Sequence, residues 1–188
     1  GPRFRIRTLQ IEERDDDGRP VEPLGGRRHL REMVRAKQGD FFNRAELVKD
    51  IGAIQTMYRD AGYANVEVPP QTELDPEHQA VDVHVTIQRR RPVYFGRIEI
   101  RGNTKTRDKV IRRELEIGEQ RLFSETGLDR SRRRIQALGC VERGDGATSQ
   151  GADPDHLGVV VEVTEKPTGT FQVCAGFSSM ESFMFTSQ

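Results

Sequence analysis

The sequence has no tryptophan, two cysteines in 188 residues and only 6% aromatic side chains. Two cysteines cannot make a disulfide framework, and Cys140 and Cys174 lie too far apart to be a metal-binding pair. Their number is compatible with any compartment. Lys+Arg and Asp+Glu balance at 30 each, so no net charge draws the chain to nucleic acid or to an anionic membrane. No apolar run reaches the ~18 residues of a transmembrane helix. No secretory leader is present either, and Gly1 and Pro2 read as a processing scar or a cut within a longer chain. His29, His78, His84 and His156 share no metal-ligand spacing. No glycine-rich loop joins a strand to a helix in phosphate-binding form, and no nucleophile elbow occurs. Asp15, Asp16 and Asp17 are too short a run for a calcium loop and read as a solvated turn. The expectation is a protein without catalytic residues, metal or cofactor.

What the sequence does hold is an internal repeat. Gly39–Leu47 is echoed by Gly118–Leu128, Ala61–Val68 by Leu138–Arg143, and Val81–Ile87 by Val159–Glu165. The landmarks recur in one order at a spacing of 75–79 residues, and Pro92 and Pro167 close the two copies. Three segments follow: 1–92, 93–167 and a tail, 168–188.

The first copy opens with Phe4 and Ile6, then Leu9 and Ile11, an alternation whose parity slips by one and so predicts a bulge at Arg7 and Thr8. Leu30, Met33 and Val34 mark a short helix. Asn43 followed by Glu46 starts a longer one, with Leu47, Val48, Ile51, Ile54, Tyr58 and Ala61 on its inner face and Gly62 at its end. Ala64–Val68 reads as a brief strand stopped by Pro69 and Pro70. Val81, Val83, Val85 and Ile87 alternate with polar residues, as in a strand with one wet face. The second copy repeats the order. Ile98 and Ile100 mark its first strand and Gly102-Asn103 a turn. Thr106 and Ser124 cap its helices, and Val159, Val161 and Val163 form its last strand. The fold class is α+β, each unit β-α-α-β-β, with two helices on one face of a three-stranded sheet. The third strand is central and the second lies at an edge. Units of about 75 residues bury only ~60% of their unfolded surface, which leaves little room for a deep pocket.

That edge is the functional feature the residues offer. An exposed short strand accepts an extended peptide through main-chain bonds, so Val66, Glu67 and Val68 in one copy and Val141, Glu142 and Arg143 in the other are the candidate binding positions. The arginine clusters at 89–91, 112–113 and 132–134 are interleaved with acids and have few aromatics to stack bases. They read as solvated faces and a protein contact rather than a nucleic-acid track. The tail alternates again over Thr170, Phe171, Gln172, Val173, Cys174, Ala175, Gly176 and Phe177. That pattern fits a membrane β-barrel strand, a soluble hairpin being the alternative.

A strand-helix-helix-strand-strand unit of this size resembles the polypeptide-transport-associated (POTRA) domain. Gly96–Leu115 resembles the opening of the last such domain in the BamA family of outer-membrane β-barrel assembly factors, and Gly169–Gln188 resembles the start of that family's barrel. The resemblance implies the fourth and fifth, membrane-proximal, modules and a truncated barrel, at the periplasmic face of the bacterial outer membrane. It implies a role in receiving unfolded outer-membrane proteins. Residues 170–177 are then the barrel's first-strand seam, and Arg112, Arg113 and Glu119 the docking surface for a BamD-like lipoprotein. The membrane is reached through the missing barrel, and no nucleic acid is expected. A two-partner secretion transporter with two such modules, and an RNA-binding pair of small α/β modules, are the alternatives.

Overall fold

The computed structural model describes residues 3–104, 106–137, 154–165 and 173–179. The chain divides into two units, residues 1–59 with 65–90, and residues 60–64 with 91–188.

In the first unit the slipped alternation becomes a ten-residue strand, β1 (Arg5–Arg14), with its bulge between Ile6 and Thr8. The aspartate run turns the chain back into a two-residue strand, β2 (Pro20–Val21), antiparallel to β1. Asp15 builds that turn. Its carboxylate accepts the N–H groups of Asp17 (3.0 Å) and Arg19 (2.8 Å), and Gly18 takes a φ of 79°. Two helices follow, α1 (Arg27–Met33) and α2 (Arg44–Asp60). Asn43 caps α2 by accepting the N–H groups of Ala45 (2.9 Å) and Glu46 (3.3 Å), and Gly62 follows with a φ of 104°. Leu47, Ile54 and Tyr58 are buried as their spacing predicts, but Val48 is 60% exposed. Asp50 is buried instead, because its carboxylate accepts the N–H groups of Arg35 and Ala36 (3.2 Å each) just beyond α1.

Ala64–Val68 is not the second strand. Val66 and Val68 are core residues, and Glu67 makes one isolated bridge, with reciprocal main-chain bonds to Gln88 (2.9 and 2.8 Å). The strand is β3 (Pro70–Asp75), which the prolines open rather than close. It pairs antiparallel with β4 (Ala80–Ile87). The carbonyl of Pro69 accepts the Thr86 N–H (3.4 Å), so by alternation the nitrogen of Pro70 points away from β4, where a missing donor costs no ladder bond. The sheet order is β2-β1-β4-β3, four strands rather than three, since two residues of β2 carry no readable period. β4 is central and parallel to β1, and Val81, Val83, Val85 and Ile87 are all buried.

The second unit has β5 (Tyr94–Arg101), α3 (Asp108–Arg112), α4 (Glu125–Gln136), β6 (His156–Glu165) and β7 (Val173–Ser179). The sheet order is β5-β6-β7, with β6 parallel to β5 and antiparallel to β7. Phe95 and Phe123, with ring centroids 5.4 Å apart, sit in a core with Ile98, Ile111, Leu128, Ile135, Val159, Val161 and Val163. Ser124 caps α4 as expected, accepting the Gly127 N–H at 3.0 Å. Thr106 does not cap α3. Arg107 precedes the helix without a side-chain cap, and Thr106 is buried. The tail supplies β7, which lies along the edge of β6 with Phe177 opposite Val161. Thr170, Phe171 and Gln172 lie outside the described residues, as do Val141, Glu142, Arg143 and Cys140.

Hydrogen bonding fixes how the two copies correspond. Ile6 exchanges main-chain bonds with Asp40 and Gly39 (2.8 Å each), and Phe95 does the same with Arg121 and Gln120 (2.8 Å each). Gly39 (φ 93°) is therefore matched by Gln120 (φ 67°), two residues later than the glycine match read from sequence.

Candidate functional site

Edges are the sites this fold offers, and three can be judged residue by residue. The first is β3. Glu67 and Pro69 face β4, so alternation turns the main-chain N–H and C=O of Thr72 and Leu74, and the C=O of Pro70, toward solvent. Leu74 is 59% exposed. This is an open edge, though five residues downstream of the one expected. The sequence does not point to Thr72 and Leu74 because Pro69 and Pro70 read there as a strand stop.

The wet face beside that edge is held by Arg7, the bulge residue. Its guanidinium donates to Asp82 through Nε (3.1 Å) and Nη2 (2.7 Å) and to Asp75 through Nη1 (2.9 Å), while the Thr8 hydroxyl donates to Asp82 at 2.7 Å. The Arg7 hydrogen bonds pull the Asp82 carboxyl down to about 2 and lower that of Asp75. One arginine thus ties β1, β4 and β3 together across the sheet.

Behind the sheet lies a buried ionic group. The Glu13 carboxylate is 1% exposed. It accepts from the Tyr58 hydroxyl (2.5 Å) and from Nε (2.5 Å) and Nη2 (3.0 Å) of Arg89. Tyr58 in turn accepts the Leu24 N–H at 3.0 Å, and Arg89 donates to the Glu22 carbonyl at 3.1 Å. Burial, then the Glu13 contact, pushes the Tyr58 phenol well above its ordinary value. The network fastens the segment after β2 to the sheet. It is structural, since its polar atoms face one another.

The outer edge of β5 is closed by side chains. The Glu119 carboxylate accepts the Ile98 N–H (3.0 Å), and Nη2 of Arg112 donates to the Ile98 carbonyl (2.8 Å). Arg112 also pairs with Asp108 (2.5 Å) and lies 3.8 Å from Glu119. The structure therefore brings Arg112 and Glu119 together, and both keep part of their surface in solvent. Arg113 follows α3, exposed, with its N–H on the Lys109 carbonyl (3.2 Å).

The matching edge of β1 is different. Gly39–Phe42 covers it at Phe4 and Ile6, and β2 covers it at Glu13. Between them opens a cleft of about 670 Å³, bounded by Leu9–Glu13, α1 and residues 36–38. Among the described residues no group of three His, Cys, Asp or Glu side chains is placed to hold a metal ion, and no helix is long and apolar enough to cross a membrane.

Comparison with known proteins agrees with this geometry. The chain is 31% identical over 94% of its length to outer membrane protein assembly factor BamA of Neisseria meningitidis, and 29% identical over 78% to BamA of Nitratidesulfovibrio vulgaris. It spans 22% and 19% of those two proteins. Its fold is similar to the POTRA3–5 segment of Haemophilus influenzae BamA, with a TM-score of 0.63 and 18% identity over 92% of this chain and 60% of the other. It is also similar to Haemophilus ducreyi BamA lacking POTRA domains 1–3, with a TM-score of 0.61 and 19% identity over 94% of this chain and 29% of the other. The POTRA model, described as a surface antigen variable number repeat, matches residues 26–90 and again 93–166, and the chain accordingly belongs to the POTRA family.

Proposed function

We propose that this chain is the receiving part of an outer-membrane protein assembly factor. It is a scaffold that holds unfolded outer-membrane proteins by β-augmentation at the periplasmic face of the outer membrane. The observation that carries this reading is the open edge of β3, where Pro70, Thr72 and Leu74 present five main-chain groups that are unpaired among the described residues, beside one exposed leucine. An added strand making five bonds at about 0.5–1.5 kcal/mol net each gains a few kcal/mol, most of it offset by the cost of ordering the peptide. What is left falls short of the about −4 kcal/mol of millimolar affinity, and such weak, reversible binding suits a surface that passes clients on. The main-chain bonds read little sequence, as a module handling many clients requires. The likeness to BamA over most of the chain supports this, as does β7, a strand that lies antiparallel along a POTRA sheet edge.

In the same reading Arg112, Arg113 and Glu119, all three exposed, dock a BamD-like lipoprotein. In the whole protein residues 170–177 would form the seam strand of a barrel in the membrane, residues 173–177 leaving the edge of β6 that they occupy here. Titration of the 15N-labelled chain with unfolded outer-membrane-protein peptides tests the uptake site. Amide shifts are expected along Gln71–Asp75. Their absence there, or tighter and steeply salt-dependent binding of RNA, would remove the reading.

A further inference from the structure

The cleft along β1 differs from its counterpart in the second unit by one side chain. Leu9 and Ile98 each lie three residues beyond the matched residues Ile6 and Phe95, past the bulge. Ile6 turns its main-chain groups away from β4, and Asp15 faces the Arg19 carbonyl on the same side. The bulge shifts the parity between them, so the N–H and C=O of both Leu9 and Ile11 face the cleft. Neither residue makes a main-chain hydrogen bond there among the described residues. In the second unit the same groups of Ile98 are taken by Glu119 and Arg112.

Arg112 follows Ile111, the buried residue of α3, and Arg31 follows Leu30, the buried residue of α1. The arginine is therefore kept. The position before Gln120 is Glu119, and the position before its counterpart Gly39 is Gln38. The carboxylate is therefore lost. The side chains of Arg27 and Arg31, at i and i+4 on α1, and of Lys37 across the cleft pair with no carboxylate among the described residues, the Asp40 carboxylate accepting only the Lys37 main-chain N–H. The two acids of the cleft are committed. Glu12 is held by Arg14 and His84, and Glu13 by Arg89 and Tyr58.

We propose that this cleft is a second binding site, for an extended peptide segment bearing a carboxylate side chain. The ligand's acid accepts the Leu9 N–H and pairs with Arg31, as Glu119 does for Ile98 and Arg112, and its main chain pairs with Ile11. Both ends of the edge are already covered, by Gly39–Phe42 and by β2, so only a few residues of the peptide enter. The site is on the opposite edge of the sheet from β3 and does not depend on the uptake reading.

The test is NMR titration of the full chain with a blocked peptide of alternating valine and glutamate, with the valine–lysine peptide and sodium acetate as controls. The glutamate peptide should shift the Leu9 and Ile11 amides and slow their hydrogen exchange, and neither control should do so. Arg31→Glu and Gln38→Glu, both at exposed positions, should each weaken binding at least tenfold. In Gln38→Glu the Leu9 amide should become protected without ligand, because the chain then supplies the missing acid itself. Shifts confined to Thr72 and Leu74, equal binding of the lysine peptide or of acetate, or affinity unchanged by both substitutions would overturn the proposal. So would preferential binding of a single-stranded oligonucleotide at Arg27 and Arg31.

Discussion

Glu13 shows how a single residue departs from the rule its strand obeys. Leu9, Ile11 and Glu13 share the inward face of β1, and a carboxylate at the third of these places is stable only because Arg89 and Tyr58 meet it. A buried acid deprived of its cation costs about 3–5 kcal/mol. Arg89→Met should therefore destabilise the first unit by about 3 kcal/mol in urea unfolding, and a loss under 1 kcal/mol would mean that water reaches Glu13. Nothing local announces this partnership, since Glu13 and Arg89 are 76 residues apart and each sits in a charged stretch. Asp82 carries a pH prediction. Its folded pKa, about 2, lies below the ordinary 3.8, so whatever stability its pairing with Arg7 gives is complete above about pH 4 and lost as pH falls toward 2. A carbon-detected carboxyl titration should find the Asp82 midpoint near 2, returning toward 3.8 in Arg7→Ala.

At the level of elements, the turn after β5 is the tightest constraint. Gly102 has a φ of 83°, and a Cβ there would run into the carbonyl oxygen of Val163. Gly102→Ala combines a left-handed backbone with a main-chain clash, so it should cost the second unit more than about 1 kcal/mol in thermal or chemical unfolding. An unchanged midpoint would mean that β5 and β6 separate easily at that end. The Gly102-Asn103 turn was legible in the sequence because glycine there has a backbone reason. The long alternating strands and the α2 stripe were legible for the same kind of reason: a period of two or of 3.6 is a local property. The second strand was misplaced because Val66 and Val68 alternate as a strand does, yet are buried without one, and because a double proline marks a strand start as well as a stop. β2 left no mark, being two residues made into a strand by the Asp15 turn and the β1 edge it meets.

Taken whole, the chain is two small α+β units whose open and covered edges decide what can bind where. The uptake reading concerns the edge of β3. The docking proposal concerns the surface around α3, where Arg112 and Glu119 are partly engaged with Ile98 and Arg113, exposed like them, is not. Arg113→Glu should accordingly weaken a BamD-like partner at least tenfold in a pull-down or by calorimetry while leaving peptide shifts at β3 unchanged. Equal affinity would remove that surface from the assignment. The sequence by itself determined that the chain is a repeat, that each copy is α+β with two helices between its first strand and its central one, and which residues form the central strands. It did so because hydrophobic period, caps and turn glycines act within a few residues of one another. Only the tertiary structure decided which edges are open. A strand's main-chain groups are satisfied or left free by whatever the rest of the fold lays beside them. For Ile98 that is a glutamate 21 residues away, and for Leu9 the cleft where Gln38 stands in its place.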